Sequence, residues 1–313
     1  MPLASISAAL GLLFPGVEIR GVSRLSGGAS RETFGFQAGD RRFILQSQRS
    51  GDGRDMTVEI ETLRAAHQAG VPVAEVVASS LEETLLGQAF MILSHVEGET
   101  IARKILRDPE FAAARTQVVA QCAQAVAKLH AMPAGVVPAL VDVDQLAQQR
   151  QIFDAFDDPH PAFELAFHWL EGHRPDRERR CVVHGDFRLG NLMIGPDGLR
   201  AVLDWELAHI GDPLEDLGWL CVRAWRFGGR LPVAGLGQYD ELVRAYERAA
   251  GVRIDPVDLL WWEVFGTLKW GIICMMQGQA HLSGVARSHE LAAIGRRVCE
   301  TEHDLFLALD GRW

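Results

Sequence analysis

The stretch HGDFRLGNLM, residues 184–193, followed by LDWELAHIGDP, residues 203–213, decides how the rest of the chain is read. Each follows a short β-rich run and then turns polar. Asp186 lies just past the first run, Asn191 follows it by five positions, and Asp204 closes the second. Taken singly, an Asp after a strand is usually a turn residue or helix cap, and an Asn is usually a turn former. Together they supply one carboxylate for a hydroxyl proton and two oxygen ligands for a hard cation. Magnesium, which prefers few protein oxygens plus substrate phosphates, suits so sparse a set.

Working outward, RCVVHGD and LRAVLDWE are separated by Gly195-Pro196-Asp197-Gly198 and are expected to pair as a hairpin, with both polar clusters at strand ends on one side. Upstream, Gly21 to Gln48 alternates and turns at Gly39-Asp40, which predicts a three-stranded antiparallel start. MTVEIETLRAAHQAG has helical spacing through Val58, Leu63, Ala66 and Ala69, with Gly70 as a stop. VAEVVASS and AFMILSHVEG predict two more strands. The expectation is therefore an α+β chain of two lobes: residues 1–97, of five strands and one helix, ending near Glu97-Gly98, and residues 98–313, mostly helical and carrying both polar clusters.

A formal net charge of -10 with no Lys/Arg run argues against nucleic-acid binding, because phosphate backbones are held by clustered cations. Cys122, Cys181, Cys221, Cys274 and Cys299 form no C-x-x-C pair, which fits reduced thiols better than a disulfide framework or zinc site. The N-terminal MPLASISAALGLLFPGVEIR lacks a basic flank and a cleavage-like site, so a short packed helix is expected there. WGIICMMQGQAH reads as too short and too polar at its end to span a bilayer. A cytoplasmic protein with no membrane partner is the expectation.

The Asp-to-Asn spacing equals that of the protein-kinase catalytic loop, H-R-D-L-x-x-x-N followed by a metal-binding Asp, with Gly185 in place of the Arg. More closely, the chain resembles the aminoglycoside phosphotransferase family, small-molecule kinases of protein-kinase-like fold whose hallmark is H-G-D-x-x-x-x-N with a downstream I/L-D-W/F. It is most similar to the branch with H-G-D-[FY]-R-x-G-N-L and D-W-E-x-A-x-x-G-D-P-x-x-D-L, found in acyl-CoA dehydrogenase-associated kinase domains. HGDFRLGNLM and LDWELAHIGDPLEDLGWL match it nearly throughout, and the likeness runs roughly from residue 20 to 300.

The resemblance implies transfer of the γ-phosphoryl of ATP or GTP to a small-molecule hydroxyl. Asp186 would be the catalytic base, Asn191 and Asp204 the magnesium ligands, and Arg188 a fixed charge near the transferring group. His184 would brace the loop. Asp212 and Asp216 are expected to cap and brace a helix beginning near Pro213. Within SGGASRETF, Ser26, Gly27, Gly28, Ala29 and Ser30 would cover the phosphates, and Ser94, His95 and Val96 would hold the nucleobase edge.

Glu59 matches the helix glutamate that pairs with a third-strand lysine, but Gln46 stands where that lysine or an arginine is expected. Gln46 would then hydrogen-bond a phosphate oxygen, with Arg42 or Arg49 supplying the charge. Alternatively, Glu59 is a solvated helix-face charge paired with Arg64. For the acceptor, Trp205 and Glu206 are the candidates beside Asp204, while the aromatic residues of WWEVFGTLKWGIICMM are expected mainly to pack. Acidic and basic residues balance from Trp225 onward, which argues against a polycationic antibiotic. The branch points to a hydroxylated acid or its acyl thioester. Two rivals stand beside this reading: a nucleotide-binding pseudokinase regulating a partner, motivated by Gln46, and a metal hydrolase using His184, Asp186 and Asp204.

Overall fold

A computed structural model describes residues 3–25, 31–48, 56–82, 85–176 and 179–311. Helix α1 (Leu3–Leu13) leads into strands β1 (Ile19–Arg24), β2 (Arg31–Ala38) and β3 (Arg41–Gln48), then α2 (Thr57–Gln68), β4 (Val76–Ser80) and β5 (Phe90–Ser94). The strands form one antiparallel sheet in the order β1-β2-β3-β5-β4. The period-two alternation of RETFGFQA and RRFILQSQ decides its two faces. Phe34, Phe36, Phe43, Leu45, Phe90 and Ile92 point one way and bury Ile6, Ala9 and Leu10 of α1, with Phe36 stacked on Phe43 at 5.5 Å between centroids. The opposite face, carrying Met91 and Leu93, packs on Ile60, Leu63 and Ala66 of α2. That helix stops as its sequence predicts: Gly70 takes φ +75°, and the Val71 amide donates back to the Ala66 carbonyl at 3.0 Å.

Beyond β5 the chain is mainly helical: α3 (Ala102–Arg107), α4 (Ala112–Arg115), α5 (Val118–His130), α6 (Gln145–Asp154) and α7 (Pro161–Gly172) precede four short strands, β6 (Cys181–Val183), β7 (Leu192–Gly195), β8 (Gly198–Val202) and β9 (His209–Gly211). Helices α8 (Leu214–Cys221), α9 (Tyr239–Ala250), α10 (Pro256–Leu282), α11 (His289–Gly295) and α12 (Val298–Leu309) complete it. The apolar side of α2 belongs to the same core as α5, α8 and α10, so the inner face of the sheet and the helical region share one continuous interior.

The expected hairpin is corrected. RCVV does not pair with LRAV; β7 pairs with β8 across the Pro196-Asp197 turn, Gly195 facing Gly198, while β6 pairs with β9, Val183 facing His209. A tight turn fixes the register only of the strands it directly joins. CVV, separated from that turn by the whole HGD loop, finds its partner after the LDWEL segment instead. Both polar clusters still follow strands, Asp186 after β6 and Asp204 after β8.

The reading of WGIICMMQGQAH as too short is also corrected, because it lies within α10, a 27-residue helix long and apolar enough to cross a bilayer. Here, however, 78% of its apolar window is buried inside the fold. Asp255 caps its start by accepting the Val257 amide at 2.9 Å, and Pro256 occupies the first turn.

Helix α8 crosses α10 at glycines. A Cβ on Gly218 would meet Trp262 Cβ at 2.6 Å and the Trp262 carbonyl carbon at 2.7 Å, and one on Gly266 would meet a Val222 methyl at 2.7 Å. Gly218→Ala is expected to force the helices apart, costing about 1–3 kcal/mol as overpacking does. Thermal unfolding should show a fall in Tm of several degrees, although alanine is the better helix former.

Candidate active site

The HGD loop is held from below by Asp216. Buried within α8, this carboxylate accepts the amides of His184 at 2.8 Å and Gly185 at 2.9 Å, and lies 3.1 Å from His130 Nε2, whose Nδ1 meets the Tyr246 hydroxyl at 2.9 Å. Burial by itself would raise the Asp216 pKa, but the His130 contact, the nearby His184 and the amide bonds outweigh it and hold the carboxyl below its usual range. Asp212 caps the helix as expected, accepting the Leu214 amide at 2.8 Å. The expected capping role of Asp216 is corrected: it braces the loop.

Gly185 explains the departure from the protein-kinase pattern. It has φ +77°, and a Cβ there would lie 2.5 Å from the Leu207 carbonyl oxygen, so no side chain fits. His184 is fully buried, with Nε2 donating to the Leu203 carbonyl at 3.0 Å and Nδ1 accepting the Asp186 amide at 3.2 Å. Burial lowers its pKa, consistent with this neutral tautomer. Both ring nitrogens are thus engaged, and the metal-hydrolase reading loses its histidine ligand.

Asp186 is oriented on three sides. Its Oδ1 accepts Trp219 Nε1 at 2.7 Å and Arg188 Nε at 3.0 Å, while Oδ2 accepts Asn191 Nδ2 at 2.6 Å. Arg188 Nε also reaches Oδ2 at 3.2 Å, so each carboxylate oxygen takes one short bond and both share the Arg188 donor. Arg188 folds back over the carboxylate with its guanidinium 4.7 Å from the Trp225 ring centroid. Gly190 makes room, because a Cβ there would meet Arg188 Nη1 at 2.3 Å.

Asp204 has φ +65°, in the left-handed region that a non-glycine residue rarely adopts. The Leu203 amide donates to the Asn191 carbonyl at 2.8 Å, which ties the two loops together. One side of Asp204 opens to solvent, but its carboxyl is pushed up to about 6, first by desolvation among the cleft walls and then by Glu206, Asp186 and Glu59. No Lys or Arg among the described residues pairs with it. Asn191, donating its amide nitrogen to Asp186, leaves Oδ1 available. Asp204, with no ion pair of its own among the described residues and beside a free amide oxygen, fits a divalent metal that also takes phosphate oxygens.

Asn191 and Asp204 open onto a cleft of about 480 Å³, lined from the sheet side by Arg31, Thr33, Gln46 and Glu59. Glu59 is not the solvated charge paired with Arg64. It is 4% exposed, it forms an ion pair with Arg31, and Arg64 instead bonds Ser79 at 2.8 Å. Burial raises the Glu59 pKa, opposed by Arg31. Of the cations expected to replace the missing lysine, Arg42 is exposed and paired with Glu97, and Arg49 lies outside the described residues, as do Ser26, Gly27, Gly28, Ala29 and Ser30.

Ser94 and His95 begin the connection out of β5, Ser94 bonded to the Glu75 backbone at 2.9 Å and the His95 amide to the Arg42 carbonyl at 3.1 Å. Val96 packs on the core, and Leu93 and Ala74 line the cleft beside them. Trp205 is corrected as a substrate surface: 1% exposed, it donates Nε1 to the Val202 carbonyl at 3.0 Å and stands edge-on to His184 at 4.7 Å. Glu206 is half-buried beside Asp204. A separate hollow of about 300 Å³ near α6 and α10 has arginines already paired with Asp142 and Asp144 and holds neither Asp186 nor Asp204.

Sequence reading missed Arg31 and the Trp219 contact. Arg31 was accessible in principle: alternation from the Gly39 turn places Arg31, Thr33 and Gln46 on one face, since Thr33 faces Gln46 and Arg31 faces Gln48. The Trp219 contact spans 33 positions and depends on the placement of α8, which no local pattern encodes.

Known proteins resemble the chain in sequence and in fold. A chicken (Gallus gallus) protein, acyl-CoA dehydrogenase family member 11, is 26% identical over 312 residues, covering 89% of this chain and 39% of its own length. The chain thus spans about two fifths of that relative. Among solved structures, a Ralstonia eutropha protein assigned to the aminoglycoside phosphotransferases superposes with TM-score 0.79 at 21% identity, covering 99% of this chain and 98% of the other. A spectinomycin phosphotransferase in complex with ADP and spectinomycin superposes with TM-score 0.70 at 13% identity, covering 98% of both chains. The two-lobed kinase-like α+β fold expected from the motifs is thereby borne out, as is the likeness to the acyl-CoA dehydrogenase-associated branch. With the model of the phosphotransferase enzyme family matching residues 21–254, the chain belongs to that family.

Proposed function

We propose that the chain transfers the γ-phosphoryl group of ATP or GTP to the hydroxyl of a small hydroxylated acid or its acyl thioester. The observation that carries the kinase reading is that Asn191 and Asp204 line one cleft with the Arg31–Glu59 face of the sheet, and that Asn191 holds the Asp186 carboxylate at 2.6 Å. Residues 1–97 would form the nucleotide-binding lobe and residues 98–313 the lobe carrying the catalytic loop and acceptor site. The acceptor hydroxyl would donate to the Asp186 carboxylate. As the new O–P bond forms, the proton passes to Asp186, and the bond to the bridging oxygen breaks to leave the nucleoside diphosphate. Asn191 and Asp204 would hold magnesium, which supplies charge neutralisation for the phosphates when bound. Arg188, already beside the base, would face the transferring group as a fixed charge.

The acceptor assignment draws on two observations. The wall beyond Asp186 is aromatic, with Trp219 5.3 Å from Trp225 and Trp225 4.6 Å from Trp270, and the indole nitrogens of Trp225 and Trp270 lack partners among the described residues. Trp219 and Trp225 are buried, so these rings back the site rather than line it, and they bring no acidic surface of the kind a polycation needs. The relative named as an acyl-CoA dehydrogenase family member points to acyl chemistry. The pseudokinase alternative has no support in the comparisons.

Wild type should gain about 2.7 kcal/mol of stability at a nucleotide concentration a hundredfold above Kd, provided magnesium is present. Thermal unfolding with ATP or GTP, with and without magnesium, checks this; no shift with either nucleotide would sink the kinase reading. Asp204→Asn should abolish the magnesium-dependent shift while raising the Tm of the nucleotide-free protein. The sign follows from the Asp204 carboxyl, whose folded pKa of about 6 lies above its unfolded value of 3.8. Its protonation favours the fold at low pH, and that contribution is lost as pH rises through about 6. Discounted for solvent exposure, the gain at neutral pH is about 1 kcal/mol.

Asp186→Ala should lower the rate of phosphoryl transfer roughly a hundredfold or more with nucleotide binding retained. Trp219→Phe, which removes one donor to Oδ1 and keeps the ring, should reduce kcat by about tenfold with little change in KM for nucleotide. Coupled assay of nucleoside diphosphate release, with hydroxy acids and hydroxyacyl thioesters as acceptors, measures both.

A further inference from the structure

The third strand of the sheet carries no cation at the position where the family places one. Gln46 faces the cleft and is neutral, whereas the buried carboxylate of Glu59, which that cation would engage, has taken Arg31 from the second strand. Among the described residues lining the cleft, Arg31 is the sole Lys or Arg. Its side chain retains 13% of its exposure, against 5% for Glu59, so it sits at the wall rather than within the core.

The register accounts for the exchange. Thr33 faces Gln46 and Arg31 faces Gln48, so Arg31 and Gln46 are diagonal neighbours on the same face of the β2–β3 pair. Diagonal positions lie roughly 7–8 Å apart, within reach of a side chain as long as arginine. A guanidinium has more donors than one carboxylate can use. It can keep Glu59 through one edge and present the other to phosphate oxygens, which a lysine does only as a point charge.

We propose that Arg31 is the phosphate-binding cation of this protein, displaced by one strand from the family position and held by Glu59. Gln46 beside it serves as a neutral hydrogen-bonding neighbour. The assignment rests on the nucleotide reading above, and it removes the ground on which a pseudokinase was inferred: the cation is present, on a different strand.

The test uses the full chain and three variants, Arg31→Gln, Arg31→Gln/Gln46→Lys and Arg31→Gln/Glu59→Gln. Equilibrium binding of magnesium nucleotide is compared with binding of the matching nucleoside, which has no phosphates. Arg31→Gln should weaken magnesium nucleotide roughly ten- to a hundredfold, the range of a charge-assisted contact, and leave nucleoside binding within about twofold. Gln46→Lys in the double variant should restore most of the loss by returning a cation to Glu59 from the third strand. Arg31→Gln/Glu59→Gln, which leaves no unpaired buried carboxylate, should fold and still bind magnesium nucleotide as weakly as Arg31→Gln. Wild-type affinity for magnesium nucleotide in Arg31→Gln would overturn the assignment, as would an equal loss of nucleotide and nucleoside in the variant lacking Glu59. Failure of wild type to bind nucleotide at all would instead overturn the kinase reading, a distinguishable result.

Discussion

The site depends on a single buried carboxylate, that of Asp216. Two consecutive amides of the HGD loop, at His184 and Gly185, have no strand to bond, and both donate to it. An unpaired buried amide costs as much as a lost hydrogen bond, so the loop can leave β6 only where such an acceptor waits. The acceptor is itself a buried charge, and it is tolerated because His130, backed by Tyr246, meets its remaining oxygen capacity. A chain of contacts therefore runs from α9 through α5 and α8 to the loop that carries Asp186.

A second buried set supports the loop from the other side. Lys269 of α10 reaches the Gly185 carbonyl at 3.4 Å and Glu215 Oε1 at 3.2 Å, and its ammonium lies 5.1 Å from the centroid of Trp219. Glu215 also meets His209 Nε2 at 3.1 Å. Burial would raise the Glu215 pKa, yet Lys269 and His209 together hold it below its usual range. The same helix face thus fixes the backbone of the loop and the indole that donates to Asp186. Packing of α8 on α10 through glycines therefore bears on the site, since it sets where Trp219 stands beside Asp186.

Strain and unfavourable charge collect where a ligand would relieve them. Asp204 holds a left-handed backbone and a carboxyl with a raised pKa, in company with Glu206, Asp186 and Glu59. Arg188 offsets part of this repulsion and the net shift is still upward, so Asp204 opposes folding in its charged form. A cation brought with phosphates inverts the sign of that term. The Arg31–Glu59 pair differs in carrying its own counter-charge, which suits a group that positions a phosphate.

The sequence alone determined the sheet, its two faces and the spacing of the polar residues in the HGD loop. Alternation in β2 and β3, the Gly39 turn and the Gly70 stop are local, and so is the Asp186-to-Asn191 spacing, because a loop of fixed length carries both residues. Even the choice of Gly185 is written in the sequence, although its cause, the Leu207 carbonyl, is not. The tertiary structure alone decided the pairing of β6 with β9, the burial of α10, the burial of Trp205, and the partners of Asp216, Glu59 and Asp186. Each of these joins residues that share no helix or strand period, so their meeting depends on how whole elements pack. Periodicity tells which face of an element is buried, and it is silent on what that face will meet.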